Sequence, residues 1–403
     1  MRALVWCALV LLGTSGARAE LPAPSPVSRA ELRGEMLEKL ARVRGLLKSR
    51  HLAGVLISQI RNFSWLTAGL SDNHIVITSE TGPGTLLVMA DGRRFLLASQ
   101  SELPQLSEEG LTELGFTPRG WSWYEDKGPT DRKHALVREL AAGGTIASDT
   151  PFYDAPVIDG ELAGLRFPLT ATEVAKYRWL GRNSAEAVVE TCDKLAPGMS
   201  EREIEALTAD ALMRRGIRPT VLLIGTDQRI YRYRHAPPSD ARLAHYGMVN
   251  ICARRWGLVV AMTRFVHFGP VPAELAHKVA DAAQVNAALL AHSRPGVTGA
   301  QLMRHAQDAY ARVGWPGEWK LHHQGGPIGY GEREWVIWPG ATERLTDGMA
   351  FAYNPTIQGA KIEDTWLSWN GRWENLTATP GWPTVMGRAE GLAFPAPAIR
   401  ERR

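Results

Sequence analysis

Three stretches of this 403-residue chain carry side chains that could move protons or hold charge. The first is Arg234-His235-Ala236-Pro237-Pro238-Ser239-Asp240, at the end of a polar segment, Gly225 to Asp240, rich in histidine and arginine. The second begins His322-His323-Gln324-Gly325-Gly326-Pro327 and runs on to Arg333-Glu334, and the third is Ile362-Glu363-Asp364-Thr365. A histidine, with an ordinary pKa of about 6.5, both takes and gives a proton near neutral pH, so His235 and His322 suit acid/base work. A carboxylate such as Glu363 can orient a base, a water or a cation. No CxxC motif or cysteine/histidine cluster points to zinc.

The elements that must position these groups centre on Met248 to Gly269. Two apolar runs there flank Ala253-Arg254-Arg255-Trp256-Gly257, which predicts a β-hairpin in the middle of a sheet. A strand, Thr220 to Ile224, precedes it. A helix pair, Glu274 to His292 and Gly299 to Val313, follows, divided by Pro295-Gly296-Val297-Thr298. Strands are predicted over His322 to Gly331, Ala350 to Pro355 and Ile362 to Trp369, with Asn370-Gly371 turning the chain into Trp373. Upstream, Leu169-Thr170-Ala171-Thr172-Glu173 opens a helix to about Leu195. Pro197-Gly198-Met199 breaks it, and Ser200 with Glu203 forms a capping box for a helix through Arg215. Earlier still, Ser28 caps a helix from Arg29 to Arg50 with Leu32, Met36, Leu40, Val43 and Leu47 on one face. Strands at Gly54 to Ser58, His74 to Thr78, Gly84 to Met89, Arg94 to Ala98 and Gly144 to Ser148 alternate with a helix at Glu102 to Leu114, and Asp91-Gly92 closes a hairpin. That alternation is a small α/β domain.

Composition sets the outer bounds. With 45% apolar residues the chain can build two cores. Met1-Arg2, the apolar run Ala3 to Leu12 and the small-residue pattern Ala17-Arg18-Ala19 describe a secretory signal peptide, residues 1–19, with a run too short to span a bilayer. Removing Arg2 and Arg18 lowers the formal charge from +4 to +2, which excludes nucleic acid as an expected partner. An exported protein, periplasmic or secreted and with no membrane anchor, is therefore expected. Cys192 and Cys252 both suit buried apolar positions, and free thiols are favoured over a disulfide.

The hairpin and the three polar stretches together resemble the creatinase, prolidase and aminopeptidase P family. The resemblance implies an α/β (α+β) fold: a creatinase-type α/β domain over residues 20–166, a pita-bread catalytic domain over 167–386, and a tail, 387–403, without periodicity. Metallohydrolases of the family hold two metal ions with two aspartates, a histidine and two glutamates. The aspartate positions, eleven residues apart, are Asn250 and Ala261 here. Aligned on Gly329, the histidine falls on Gly326; the first glutamate is Asn354, before Pro355; only Glu363 survives. A two-metal centre, and any cofactor, is therefore not expected.

The substrate-side residues of the family are better kept. Arg234 to Asp240 resembles its PHxxPSD segment, His322 its HGxxHxxGL run, and Thr263-Arg264 the pair after the second aspartate; the later catalytic histidine falls on Arg333. Creatinase uses this fold without metal. By that parallel His235 is the general acid/base, Glu363 and His322 complete the catalytic set, and Arg264, His323, Asn250, Asn354 and Arg333 face the substrate. Each also has a plainer reading: His235 as a loop histidine, Glu363 paired with Arg264, Asn354 as a turn cap, Arg333 with Glu334 as a solvated ion pair, and one of His322 and His323 turned away on its strand. Whether the protein is an enzyme is left open. The leading expectation is a metal-independent hydrolase acting on a C–N bond of a small peptide-like or amidine-like substrate. The alternative is a pseudopeptidase that binds a peptide or small ligand, and an active dinuclear aminopeptidase comes last. A homodimer is expected by analogy.

Overall fold

A computed structural model describes residues 25–127 and 131–403; the expected signal peptide lies outside the described residues. The first helix, Arg29–Ser49, starts where expected, on a complete capping box between Ser28 and Glu31. Its predicted apolar face is buried, but Glu35 and Lys39 are buried with it. The N-terminal sheet has five strands, Thr117–Trp121, Arg94–Ser99, Thr81–Met89, Gly54–Gln59 and Ile146–Ser148 in spatial order. The Asp91-Gly92 turn joins the second and third of these, with Val88 opposite Arg94. The predicted strand His74 to Thr78 does not form: Asn73 binds back onto Gly84 at both its amide and its carbonyl oxygen, and Ile75, Val76 and Ile77 stay exposed.

The C-terminal domain is built twice over. Helices Ala171–Lys194 and Glu201–Met213 form one pair, and Ala273–His292 and Gly299–Arg312 the other. The two breaks between them, Pro197-Gly198-Met199-Ser200 and Pro295-Gly296-Val297-Thr298, are held identically. Gly198 N–H donates to Leu243 and Gly296 N–H to Leu345; Arg242 donates to the Gly198 carbonyl and Arg344 to that of Gly296. Ser200 and Thr298 each cap the helix that follows. This is the two-fold plan that the repeated helix pairs predicted.

Between the pairs lie two four-stranded sheets. One orders Arg400–Arg402, Leu258–Phe268, Tyr246–Arg255 and Arg218–Thr226; the other orders Arg372–Asn375, Asp364–Trp369, Ala350–Tyr353 and Gly325–Ile328. The central hairpin turns at Trp256-Gly257, both at positive φ (+53° and +80°), as a two-residue turn with the strands' own twist requires. The sheets join along its second strand, where Thr263 N–H donates to the Glu363 carbonyl and Val259 N–H to that of Gly329. No helix among the described residues is long and apolar enough to cross a membrane.

The stretch 387–403, read from the sequence as a tail without periodicity, is part of this architecture. Thr384–Ala389 and Leu392–Pro397 form a hairpin, and Arg400–Arg402 runs parallel to Leu258–Phe268 of the central hairpin, with Arg400 opposite Val266. Phe394, Ala396 and Ile399 are buried. Cys192 and Cys252 are free and buried, as expected, and burial pushes both thiols up to about 12.

Candidate active site

Alternation along the chain from Lys361 to Glu363 puts both side chains on one face, beneath the central hairpin. Glu363 is 2% exposed and fully satisfied. One oxygen accepts from Lys361 Nζ, Asn250 Nδ2 and Thr263 Oγ1, each at 2.8 Å, and the other from Arg333 Nη2 at 2.9 Å. Burial works against its charge, but Lys361 and then Arg333 outweigh that and hold the carboxyl at about 2. Asn250 serves both partners, since its amide nitrogen donates to Glu363 while its oxygen accepts from Lys361 at 3.2 Å. An aspartate could not donate in this way.

The five positions therefore do not fit a two-metal centre. Their charge is one carboxylate, and two cations already neutralise it. Ala261 contributes only backbone, both ends of which are bonded by the Thr365 hydroxyl. Gly326 has no room for any side chain, because a Cβ there would lie 2.3 Å from the Trp335 carbonyl oxygen. Asn354 is buried with its side-chain oxygen unpartnered, and its backbone N–H donates to Gln324, so its side chain caps nothing.

Across from this cluster stand three histidines. His235 Nε2 and His322 Nε2 are 3.1 Å apart, so one ring donates to the other. His323 joins them, with ring centroids 4.5 Å from His322 and 5.6 Å from His235. Both neighbours thus face the cleft, because residues 322 and 323 precede the strand rather than lying on it. Burial lowers all three, seconded by the charge of Lys361 at His322 and His235 and of Arg333 at His323: His322 to about 2, His323 to about 4, and His235 below its ordinary value. All are therefore neutral at pH 7. Their ligand atoms lie within 4.8 Å of one another, close enough to converge on one ion. Against that, His323 Nδ1 accepts from the Gly325 N–H at 3.2 Å, so its proton sits on Nε2, the nitrogen otherwise free to coordinate.

One expected substrate residue is placed elsewhere, and the plainer reading of another does not hold. Arg264 is 2% exposed and turned into the core, where it pairs with Asp364 at 2.8 Å and binds Thr377 and Thr379; it does not pair with Glu363. Arg333 and Glu334 are not a solvated pair: Arg333 binds Glu363, while Glu334 binds Arg166 at 2.6 Å. Glu363 touches none of the histidines and cannot orient His235. Lys361 was missed in the sequence although its two-residue spacing from Glu363 was there to read.

The comparisons agree with this architecture. The model of metallopeptidase family M24 matches residues 175–368. Among solved structures, dipeptidase PepE from Mycobacterium ulcerans superposes with a TM-score of 0.70 at 23% identity, covering 86% of this chain and 97% of that one. An Xaa-Pro dipeptidase from Bacillus anthracis gives 0.70 at 17% identity, with 86% and 98% covered. An X-Pro aminopeptidase from Thermotoga maritima gives 0.68 at 18%, with 90% and 99% covered. No curated protein matches. Residues 175–368 match the model of metallopeptidase family M24, and the chain has the pita-bread fold of the prolidases and aminopeptidases P.

Proposed function

We propose that this protein is an exported hydrolase that cleaves a C–N bond of a small peptide-like substrate without a two-metal centre. The observation that carries the reading is Lys361 Nζ, bonded to both Glu363 and Asn250 within the set of positions where the family's metal ligands fall. In the proposed reaction His235 removes a proton from a water as its oxygen bonds to the substrate carbonyl carbon. The C–N bond then breaks, and the same proton passes to the leaving nitrogen. His322 holds His235 through the Nε2 contact, and with His235 Nε2–H donating across it, Nδ1 of His235 is the nitrogen that accepts the proton. The charge of Lys361 and Arg333, net +1 after Glu363, favours the developing oxyanion.

The same charge argues for a neutral or anionic substrate over an amidine-like one, since Glu363 is already paired with two cations. A homodimer remains part of the proposal by family analogy alone. A second reading, a protein that binds a peptide without cleaving it, draws on the same saturation of Glu363, which leaves no carboxylate to orient a water.

The test is metal analysis of protein purified without chelators, with turnover of an Xaa-Pro dipeptide and acyl-amide panel, with and without chelator and added manganese. Chelator-insensitive turnover lost in His235→Ala is expected. Stoichiometric metal with chelator-sensitive turnover overturns the proposal. An inactive parent whose ligand binding survives His235→Ala establishes the second reading instead.

A further inference from the structure

Beneath the turn of the central hairpin, where it meets the N-terminal domain, is a cavity of about 150 Å3. The joint is close: a Cβ on Gly257 would lie 2.4 Å from Ser64 Cβ, and one on Gly69 would lie 2.5 Å from Trp256. Its polar walls are Ser71, Asp72 and His74 from the N-terminal domain and Arg218, Arg254 and Arg255 from the C-terminal domain.

Three guanidinium groups there face one carboxylate. Asp72 reaches Arg218 at 3.6 Å, and Arg254 turns to Glu332 at 3.2 Å. Arg255 has no acidic partner among the described residues. It is held between Trp179 and Trp256, 4.5 and 4.6 Å from their ring centroids, and donates to the Arg215 carbonyl. Three buried polar atoms around the cavity also have no partner: Ser71 Oγ, His74 Nε2 and Arg254 Nε. Ser71 is only 4% exposed. Native proteins rarely leave such groups unsatisfied, and a fixed guanidinium without a counter-charge is an unfilled half of an ion pair.

We propose that this cavity binds a small tetrahedral oxyanion, phosphate or sulfate, which ties the N-terminal domain to the C-terminal domain. Such an ion supplies acceptors for the Ser71 hydroxyl and Arg254 Nε and a charge for Arg255, in the geometry guanidinium groups match best. A cavity of about 150 Å3 takes up a six-membered carbon ring, so a five-atom anion fits and a nucleotide or peptide does not. The ion bridges the domains because its partners come from both.

The experiment is thermal unfolding of the whole chain at fixed ionic strength, with chloride replaced by phosphate, sulfate or malonate up to about 10 mM, together with calorimetric titration of sulfate. Phosphate and sulfate are expected to raise Tm saturably by several degrees and to give single-site heats, with chloride inert. In Ser71→Ala and Arg218→Gln the rise falls by more than half, while Tm without the anion stays near the parent's. If Arg218→Gln does not fold, Ser71→Ala, which loses one hydroxyl, decides. An equal rise in the variants, or no saturable heat with sulfate, overturns the proposal. A rise with malonate as large as with phosphate overturns its tetrahedral assignment.

Discussion

Replacing Lys361 with methionine removes an ammonium from the middle of the site while keeping most of the side chain's volume. Nζ donates to Glu363 at 2.8 Å and to Asn250 at 3.2 Å, and all three residues are buried. After the change Glu363 keeps Arg333, Asn250 and Thr263, and Asn250 loses the donor to its oxygen. Breaking a buried pair by removing one member costs about 3–5 kcal/mol, and with Arg333 still in place the lower end, about 3 kcal/mol, applies. Against its burial, the partners of Glu363 together, Lys361 first and Arg333 next, hold it at about 2 instead of 4.5, which at about 1.36 kcal/mol per unit is about 3 kcal/mol for the whole set. The folded-state value is the depressed one, so this stability is complete above pH 4.5 and lost as pH falls toward 2. In Lys361→Met burial is less opposed, and the acid loss begins at higher pH. Urea denaturation of the parent, Lys361→Met, Glu363→Gln and the double variant at neutral and mildly acidic pH is the assay. Each single change should cost about 3 kcal/mol and the double at least about 1 kcal/mol less than their sum. Additive losses, or a Lys361→Met protein as stable as its parent, would refute the claim that Lys361 and Glu363 stabilise each other as a buried pair.

Four further outcomes follow from the same coordinates. Glu35, Lys39, Glu173 and Lys176 form a network with side chains 0% exposed; Lys39→Met should cost at least about 3 kcal/mol in urea denaturation and open the domain joint to limited proteolysis. Gly326→Ala, which sets a Cβ 2.3 Å from a backbone oxygen, should cost about 1–3 kcal/mol or more in the same assay, so the family's histidine cannot simply be restored. Ending the chain after Ala389 strips Arg400–Arg402 from the sheet and should lower Tm sharply and cause aggregation, read by light scattering. If His235 is the base, its lowered pKa means that kcat/KM is flat at neutral pH and falls only as pH drops through a midpoint below 6.5. A midpoint above that value would contradict the role.

The parts legible in the sequence were those fixed by near neighbours. The boxes Ser28/Glu31, Thr170/Glu173 and Ser200/Glu203 lie three residues apart, and each starts its helix where the spacing places it. The hairpin turn is equally local. What escaped was set from afar. Lys361 owes its role to Asn250, on a strand far away in the sequence. Lys39 and Lys176 sit on apolar helix faces because each meets a carboxylate across the domain joint. At His74 to Thr78 a β-branched run looked like a strand, but a strand needs a partner, and the Asn73 turn withdraws it from the sheet. Pro395 and Pro397 hid the terminal hairpin, since prolines count against a strand unless its edge is free, as here.

The replaced residues also bear on whether the site has decayed or been rebuilt. A metal site that lost its ions by drift would leave buried carboxylates facing one another, each driven toward the neutral form. Here three of the four positions that carry carboxylates in the family's metallohydrolases hold Asn250, Ala261 and Asn354, and the remaining one, Glu363, is met by two cations and an amide that donates to it while accepting from its partner. A fixed ammonium and a metal ion differ in one respect that matters for chemistry. Both favour a developing oxyanion, but only the metal makes a bound water acidic. In the proposed reaction, with Lys361 in place, the proton of the attacking water goes to a neutral side chain, and His235, its pKa lowered by burial, is the residue assigned to take it.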